Sequence, residues 1–287
     1  MDLLTALQAS PALLIATTAI VGLLVGSFLN VVIHRMPIML EQAWQAECAY
    51  ARGEEPPPQH KYNLIAPRSA CPQCGHLIGA SENIPVLSYL VLGGKCKQCK
   101  TPISARYPLV EALTGVLSGY IAWHFGYGPQ LLGALMFCWI LVALTFIDFD
   151  TQLLPDDLTF PLLWLGLAFN LSNTFVSLPQ AGVGAMAGYL ILWSVYWLFK
   201  LIRGKEGMGY GDFKLLAAIG AWLGWQALPL VILLSSVVGV FAGIIINMRA
   251  KQGLSSPFAF GPYLAIAGMV AILWGPTLMA LYLGQPR

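Results

Sequence analysis

Long apolar runs recur along this chain, and they restrict its fold more than any other feature. The first run, residues 11–33, contains 23 residues without a charged side chain. A helix of about 20 apolar residues is long enough to cross a bilayer. A cleavable secretion signal has a basic start and a shorter apolar core, so we interpret this run as a retained membrane span.

Seven further apolar runs follow, each near or somewhat below this length. The later predicted spans are residues 108–124, 131–147, 158–175, 181–199, 213–227, 229–247 and 262–283. At residues 224–229, one kinked helix followed by a re-entrant segment is the alternative to two spans. Hydrophobic residues make up 57% of the 287 positions and charged residues 10%, so we predict an all-α polytopic membrane protein with about eight transmembrane helices.

The basic residues are distributed unevenly among the segments between the spans. Residues 35–106, 200–214 and 249–251 contain every Lys and Arg except Arg287. With eight crossings these segments lie on one side of the membrane, which the positive-inside rule identifies as the cytoplasm. The net charge of +2 is too small to suggest nucleic acid, and topology already explains the clustering of the basic residues, so we predict no nucleic-acid partner.

The one long hydrophilic segment contains two features. Its residues 39–51 have the pattern of a short amphipathic helix on the membrane surface.

Two Cys-x-x-Cys pairs follow in the same segment. The pair Cys71 and Cys74 precedes the pair Cys96 and Cys99 by 21 intervening residues. This spacing is typical of a tetrahedral four-thiolate zinc site, which leaves no position for a catalytic water. We predict a structural zinc that staples a small cytoplasmic domain, with four reduced thiols as the alternative.

Asp148 belongs to a group of four acids between the third and fourth spans. The apolar residues 142–147 precede it directly, which puts Asp148 at the end of a buried helix, where an acid is costly and therefore a functional candidate. Asp150 is predicted to be solvated. Asp156 or Asp157 is predicted to cap the helix that follows, by accepting hydrogen bonds from its free amides.

Asp212 lies in a corresponding position at the start of the sixth predicted span. Glycines at positions 207, 209 and 211 precede it, and they leave the backbone bare enough for a peptide to approach closely. The positive end of the helix favours the ionised carboxylate. A flexible turn with a capping aspartate is the alternative.

The predicted topology brings Asp148 and Asp212 to the same side of the membrane. Two neighbouring carboxylates share one proton, which supplies a base to activate water and an acid to protonate a leaving amide. The pair therefore predicts peptide hydrolysis, although the sequence does not assign the base. Lys214 is interpreted as a positive-inside anchor, with tuning of the pair as the alternative.

Five features in order resemble the type IV prepilin peptidases, which are bifunctional leader peptidases and N-methyltransferases of bacterial inner membranes. These are residues 26–35, the cysteine pairs, residues 83–90, residues 106–111 and the two aspartate motifs. The resemblance covers nearly the whole chain and implies an aspartic endopeptidase of the Gly-x-Gly-Asp type. Asp148 and Asp212 match its catalytic acids. The first is assigned by its seven-residue interval to Pro155, with Asp150 as the alternative.

The resemblance also implies the substrates, the methyl donor and the location. It implies that prepilins and type II secretion pseudopilins are cut on the cytoplasmic side, and that S-adenosylmethionine then methylates the new N-terminus. No glycine-rich fingerprint identifies residues for that donor. The implied organisation is a first span in residues 1–33, a cytoplasmic, methyltransferase-associated cysteine domain in 34–106, and a seven-span peptidase domain in 107–287. The cysteine domain and the active site then both face the cytoplasm.

Two other classes of protein remain as alternatives. A transporter or channel would use intramembrane acids along its path, but such acids usually lie near the midplane between repeats, and no internal repeat is visible. A noncatalytic pilus assembly factor would use the zinc segment to bind a partner and the spans only as anchors. Normal function after Asp212→Asn would favour that second class.

Overall fold

The computed structural model describes residues 3–56, 61–205, 207–250 and 259–282. Its regular structure in these ranges is helical, apart from two isolated β-bridges. The α-helices are α1 Leu3–Ala9, α2 Pro11–Ala51, α3 Leu87–Val91, α4 Arg106–Phe125, α5 Pro129–Thr151, α6 Asp156–Asn170, α7 Leu178–Arg203, α8 Tyr210–Leu223, α9 Leu228–Ala250 and α10 Gly261–Tyr282. All eight predicted spans coincide with helices, α2 and α4 to α10, which confirms the all-α fold class.

The chain is a multi-pass membrane protein. Within the described ranges, five helical segments are long and apolar enough to cross a membrane. They lie in α2, α5 and α7, in the segment Trp225–Ile245 and in α10. Helices α6 and α8 have only 15 and 14 residues, which at 1.5 Å per residue is shorter than the roughly 30 Å hydrocarbon core.

The helix that contains the first predicted span extends well beyond that span. Residues 39–51 do not form a separate surface helix, because α2 is one continuous helix of 41 residues that includes Pro37. Proline removes one helical hydrogen bond. The residues beyond it are mostly Leu, Met, Glu, Gln and Ala, which favour helix strongly enough to continue it.

The chain divides into two compact units, Met1–Tyr127 and Gly128–Arg287. In the first unit, α2 packs against α4 through small residues. A Cβ at Gly26 would lie 2.8 Å from the Cα of Glu111, so only glycine permits this approach. The Glu111 carboxylate accepts a hydrogen bond from the Val86 amide at 2.7 Å, which ties the cysteine segment to α4.

In the second unit, α8 is almost completely buried among α6, α7 and α10. Gly184 of α7 faces Gly220 of α8 at a backbone-to-backbone contact, and Trp222 donates a hydrogen bond to the Leu162 carbonyl of α6 at 2.7 Å. Helix α8 ends at Leu223 because Gly224 adopts a φ of +75°. The break between the sixth and seventh predicted spans therefore lies where it was expected, and α8 is shorter than its predicted span.

Candidate active site and metal centre

Asp148 lies in the last turn of α5, where the helix ends against the link of residues 152–155. Its side chain is only 4% exposed. Within the described part of the chain, its Oδ2 atom has no hydrogen-bond partner. A buried carboxylate oxygen without a partner is costly, so this acid has the character expected of a functional group. Asp150, the alternative considered from the sequence, is exposed.

Asp212 lies in the first turn of α8 and is 7% exposed. Asp148 and Asp212 line the same cavity, which has a volume of about 460 Å³. The structure therefore brings together the two acids that the sequence singled out, at the end of one helix and the start of another.

The cavity is built from three segments of the second unit. These are the link after α5, the glycine turn before α8, and the two residues before α10. Its walls combine apolar side chains, such as Leu154 and Phe260, with the two carboxylates. Clefts of a few hundred Å³ accommodate ligands of this mixed character, and this one is large enough for a short stretch of extended peptide.

Asp156 and Lys214 form an ion pair on the wall of this cavity. Helix α6 begins at Asp156 itself, with Pro155 before it, and no side-chain hydrogen bond caps the helix. The predicted capping role of Asp156 or Asp157 is therefore wrong. Asp156 instead accepts two hydrogen bonds from the Lys214 ammonium, at 2.7 and 2.8 Å. This pair links the start of α6 to α8, so the Asp156 carboxylate binds a cation of a neighbouring helix and does not cap its own.

The glycines around the acids differ in the space that they leave. A Cβ at Gly211 would lie 2.8 Å from the Cβ of Leu154, whereas a Cβ at Gly209 would meet nothing closer than 3.9 Å. A Cβ at Gly261, the first residue of α10, would lie 2.5 Å from Oδ2 of Asp148. Gly211 and Gly261 are therefore required for packing around the acids, while Gly209 leaves open backbone beside the cavity.

Sequence reasoning did not identify Leu154 or Gly261 as residues of this site. Gly261 precedes a proline at the start of a helix, which marks the boundary, but its proximity to Asp148 depends on how α10 packs against α5. Leu154 belongs to the motif that contains Asp148. Its apolar side chain has no property in the sequence that distinguishes it, as a site residue, from neighbouring leucines such as Leu153.

The four paired cysteines form one cluster in the first unit. Their sulfur atoms all lie within 4.8 Å of one another. The Cys71 and Cys99 sulfurs are 3.7 Å apart, and those of Cys74 and Cys96 are 3.9 Å apart. A tetrahedral zinc site with Zn–S bonds of ~2.3 Å has sulfur–sulfur edges of about 3.8 Å. The arrangement can therefore hold a metal ion, and its dimensions fit those of zinc.

The environment of the sulfurs also suits a metal. The side chain and backbone amide of Thr101 lower the pKa of Cys99 to about 6, and backbone amides lower the pKa of Cys71. The His76 amide favours the Cys74 thiolate as well, but burial and the neighbouring sulfurs outweigh it and raise the pKa of Cys74 to about 11. Four adjacent thiolates repel one another, and a divalent cation would allow all of them to ionise.

Glu82 connects the two cysteine pairs. Its carboxylate lies 3.0 Å from Nε2 of His76, which follows the first pair, and 3.1 Å from Nζ of Lys97, which lies within the second. The Glu82 side chain is only 13% exposed. Lys97, and then His76, hold the pKa of Glu82 below its usual range. The carboxylate therefore stays ionised at neutral pH and restrains both turns.

We expect the Glu82→Gln substitution to weaken metal binding without removing any ligand. Groups that contact metal ligands typically affect metal affinity by 10- to 100-fold. Glu82 contacts His76 and Lys97, which are neighbours of the cysteines and not ligands themselves. We therefore expect the affinity to fall by about tenfold, at the lower end of this range. Competition with a chelator for Zn²⁺ measures it. Glu47→Gln, an exposed change on α2, is the matched control. An unchanged Zn²⁺ affinity in Glu82→Gln would contradict this role.

Comparison with known proteins yields two family matches and several close relatives. Residues 20–125 match the family described as the bacterial peptidase A24 N-terminal domain, and residues 135–244 match the type IV leader peptidase family. The chain is 57% identical to the prepilin leader peptidase/N-methyltransferase of Pseudomonas aeruginosa, over 99% of this chain and 98% of the relative. It is 59% identical to the protein of the same name from Aeromonas hydrophila, over 95% of each.

The second family match contains both acids of the cavity, and the first contains all four clustered cysteines. No solved structure gives a significant match to the chain. The alignments with the two relatives cover 99% and 95% of this chain, so they extend over both compact units.

Proposed function

The chain belongs to the type IV leader peptidase family, and on this basis we propose that it is a membrane-embedded aspartic endopeptidase acting on type IV prepilins and type II secretion pseudopilins. It removes their leader and then N-methylates the new terminal residue. The observation that carries this proposal is the pair of buried acids, Asp148 and Asp212, facing one cavity.

In the proposed reaction, the scissile amide enters the cavity between the two carboxylates. The carboxylates hold one proton between them, because two adjacent negative charges are costly away from water. The ionised acid takes a proton from a water molecule, which attacks the carbonyl carbon, and the protonated acid gives its proton to the leaving nitrogen. Among the described residues, Oδ2 of Asp148 has no hydrogen-bond partner, which supports this proposal because the atom can hold a proton or accept a hydrogen bond from a water.

The site does not resemble the arrangement expected of a transporter. Asp148 and Asp212 lie in the last turn of α5 and the first turn of α8, rather than midway along continuous spans, as path-lining acids often do. We propose that this end of the second unit faces the cytoplasm of a bacterium, with the spans in the inner membrane. The division into a first span, a cysteine domain and a peptidase domain, at residues 1–33, 34–106 and 107–287, is part of the same proposal.

The cysteine cluster has a structural role in this proposal. Cys71, Cys74, Cys96 and Cys99 would hold one zinc ion, which supplies no reacting group and instead fixes the fold of the segment around it. S-adenosylmethionine, when bound, supplies the methyl group. That part of the proposal depends on the resemblance to N-methyltransferases, and we assign no residue to the donor.

One assay tests both activities. Purified protein in detergent is incubated with a prepilin and with S-adenosylmethionine labelled in its methyl group. We expect a decrease in precursor size and incorporation of label into the shortened product. Intact precursor after prolonged incubation would contradict the peptidase proposal, and cleavage without label would contradict only the methyltransferase part.

The Gly261→Ala substitution is expected to reduce cleavage on the order of 100-fold, because displacing a catalytic group by about 1 Å can cost that much. The new Cβ would lie 2.5 Å from Oδ2 of Asp148, so the carboxylate must move. Initial rates of precursor cleavage measure the effect. Gly275→Ala on the same helix, where a Cβ would meet no atom within 4 Å, is the control. Wild-type rates for Gly261→Ala would contradict the described contact.

A further inference from the structure

Leu154 occupies a central position in the link between α5 and α6. Its side chain is half-buried and forms part of the cavity wall. It packs against two glycines from different parts of the chain. A Cβ at Gly211 would lie 2.8 Å from the Cβ of Leu154, and a Cβ at Gly261 would lie 3.0 Å from its Cδ1 atom. The leucine therefore fills the space between the starts of α8 and α10.

Each of these glycines adjoins one of the two acids. Gly211 immediately precedes Asp212 in the chain. A Cβ at Gly261 would lie 2.5 Å from Oδ2 of Asp148. A continuous series of contacts thus runs from Asp212 through Gly211, Leu154 and Gly261 to Asp148. Atoms in van der Waals contact resist compression, so the size of the leucine limits how closely the two ends approach.

We propose that Leu154 is a positioning residue that sets the separation of the Asp148 and Asp212 carboxylates. The proposal rests on the peptidase function proposed above, because the separation matters only if the two acids act together. It assigns no chemical step to the leucine. Its contribution is to keep the backbone at Gly211 and Gly261 at a fixed distance.

The Leu154→Ala substitution removes the spacer between Gly211 and Gly261. It keeps the Cβ but removes the Cδ1 atom, which faces both glycines, at 3.0 Å from a Cβ at Gly261 and 3.2 Å from a Cβ at Gly211. The start of α10, and Asp148 beside it, can then move toward the start of α8 and Asp212. Two carboxylates that share a proton stay singly protonated over a pH range that widens as they approach each other, so we expect that range to widen.

The first test compares Leu154→Ala with wild type in the precursor cleavage assay over a range of pH. We expect kcat to fall on the order of 10-fold, since positioning errors below 1 Å carry costs of this size, with a smaller change in KM and a wider pH range of maximal activity. Leu171→Ala is the control, because Leu171 follows α6 at its other end and is 70% exposed. A purely structural role would reduce the amount of folded enzyme without altering its pH profile.

The second test exchanges side-chain size between neighbours. Gly211→Ala introduces a Cβ that collides only with Leu154 among its three nearest contacts, at 2.8 to 3.4 Å. Adding Leu154→Gly should therefore raise the activity of Gly211→Ala to that of Leu154→Gly alone, which is the upper limit because both variants lack the leucine. The same addition should not rescue Gly261→Ala, because the Asp148 carboxylate itself blocks that position. Rescue of one glycine variant and not of the other is the result expected from these specific contacts. A general loosening of the site by Leu154→Gly would affect both variants alike.

The results separate the inference from the function on which it rests. Wild-type kcat and pH profile in Leu154→Ala, or no rescue of Gly211→Ala by Leu154→Gly, would overturn the inference while leaving the peptidase proposal intact. Absence of cleavage by wild type would overturn both. Rescue of Gly211→Ala but not of Gly261→Ala, together with a widened pH range for Leu154→Ala, is the result that we expect.

Discussion

The Asp212→Asn substitution is expected to reduce precursor cleavage by about 10³-fold or more, because losing one partner of an acid–base pair removes a contribution of 10² to 10⁴ and the shared proton with it. Asn is nearly identical to Asp in size, so the buried site in α8 keeps its packing. Rates measured from the appearance of shortened pilin, on a gel over long incubation, check this expectation. Asp148→Asn is expected to behave in the same way.

The controls for this prediction use the same chemical change elsewhere. Asp150→Asn, two residues from Asp148 and exposed, is expected to change the rate by no more than about twofold, as is usual for surface substitutions. Retained methylation of an already shortened pilin would indicate that Asp212→Asn leaves the protein folded. Full cleavage by both Asp148→Asn and Asp212→Asn would exclude the proposed mechanism.

Removal of the metal is expected to have the second large effect. Structural zinc contributes an apparent ~10–16 kcal/mol in small zinc domains, which is more than a short polar segment gains from its own core. Chelation, or Cys71→Ser, should therefore release one zinc ion per chain and unfold the segment around the cluster. Elemental analysis gives the metal content, and limited proteolysis within residues 61–105 reports the unfolding.

Cys48→Ser provides the matched control for the metal prediction. Cys48 lies on α2 and is not among the four clustered cysteines, so its replacement should leave both the zinc content and the proteolysis pattern unchanged. Intact wild-type protein that contains no zinc would contradict the proposed identity of the metal.

The sequence predicted those features that depend on the order and spacing of residues along the chain. Apolar runs located all eight helices that overlap the predicted spans, since helices that cross a bilayer or pack within it are apolar, and five helical segments of the described residues are long and apolar enough to cross a membrane. The spacing of Cys71, Cys74, Cys96 and Cys99 predicted a cluster because tight turns bring paired thiolates together. The predicted topology was enough to place Asp148, at the end of α5, near Asp212, at the start of α8, and the two acids line one cavity.

The features that were missed depend on packing in three dimensions. Asp156 was predicted to cap α6, but Lys214 of α8 lies within 2.7 Å of its carboxylate, and an ion pair with a distant residue leaves no local signal. The same holds for Glu82, whose partners lie beside both cysteine pairs. Leu154 and Gly261 act through contacts with residues far away in the sequence, so neither residue type nor spacing distinguishes them.

Helix length was the other source of error. Residues 39–51 were predicted to form a separate helix, but helix propensity, not apolarity, carries α2 beyond the apolar run, through Pro37 to Ala51. In the opposite sense, α8 is shorter than its apolar run because Gly224 turns the backbone into the left-handed region. Hydropathy indicates where lipid can surround a helix, and the local backbone determines where that helix ends.

The most direct test of joint action by Asp148 and Asp212 is the cleavage rate of the double variant Asp148→Asn, Asp212→Asn beside both single variants. Groups that act as a unit in one step have strongly non-additive effects. We therefore predict that the double variant keeps the same residual rate as either single variant. A rate reduced by the product of the two single effects would indicate that the acids act independently, and would contradict the shared-proton mechanism.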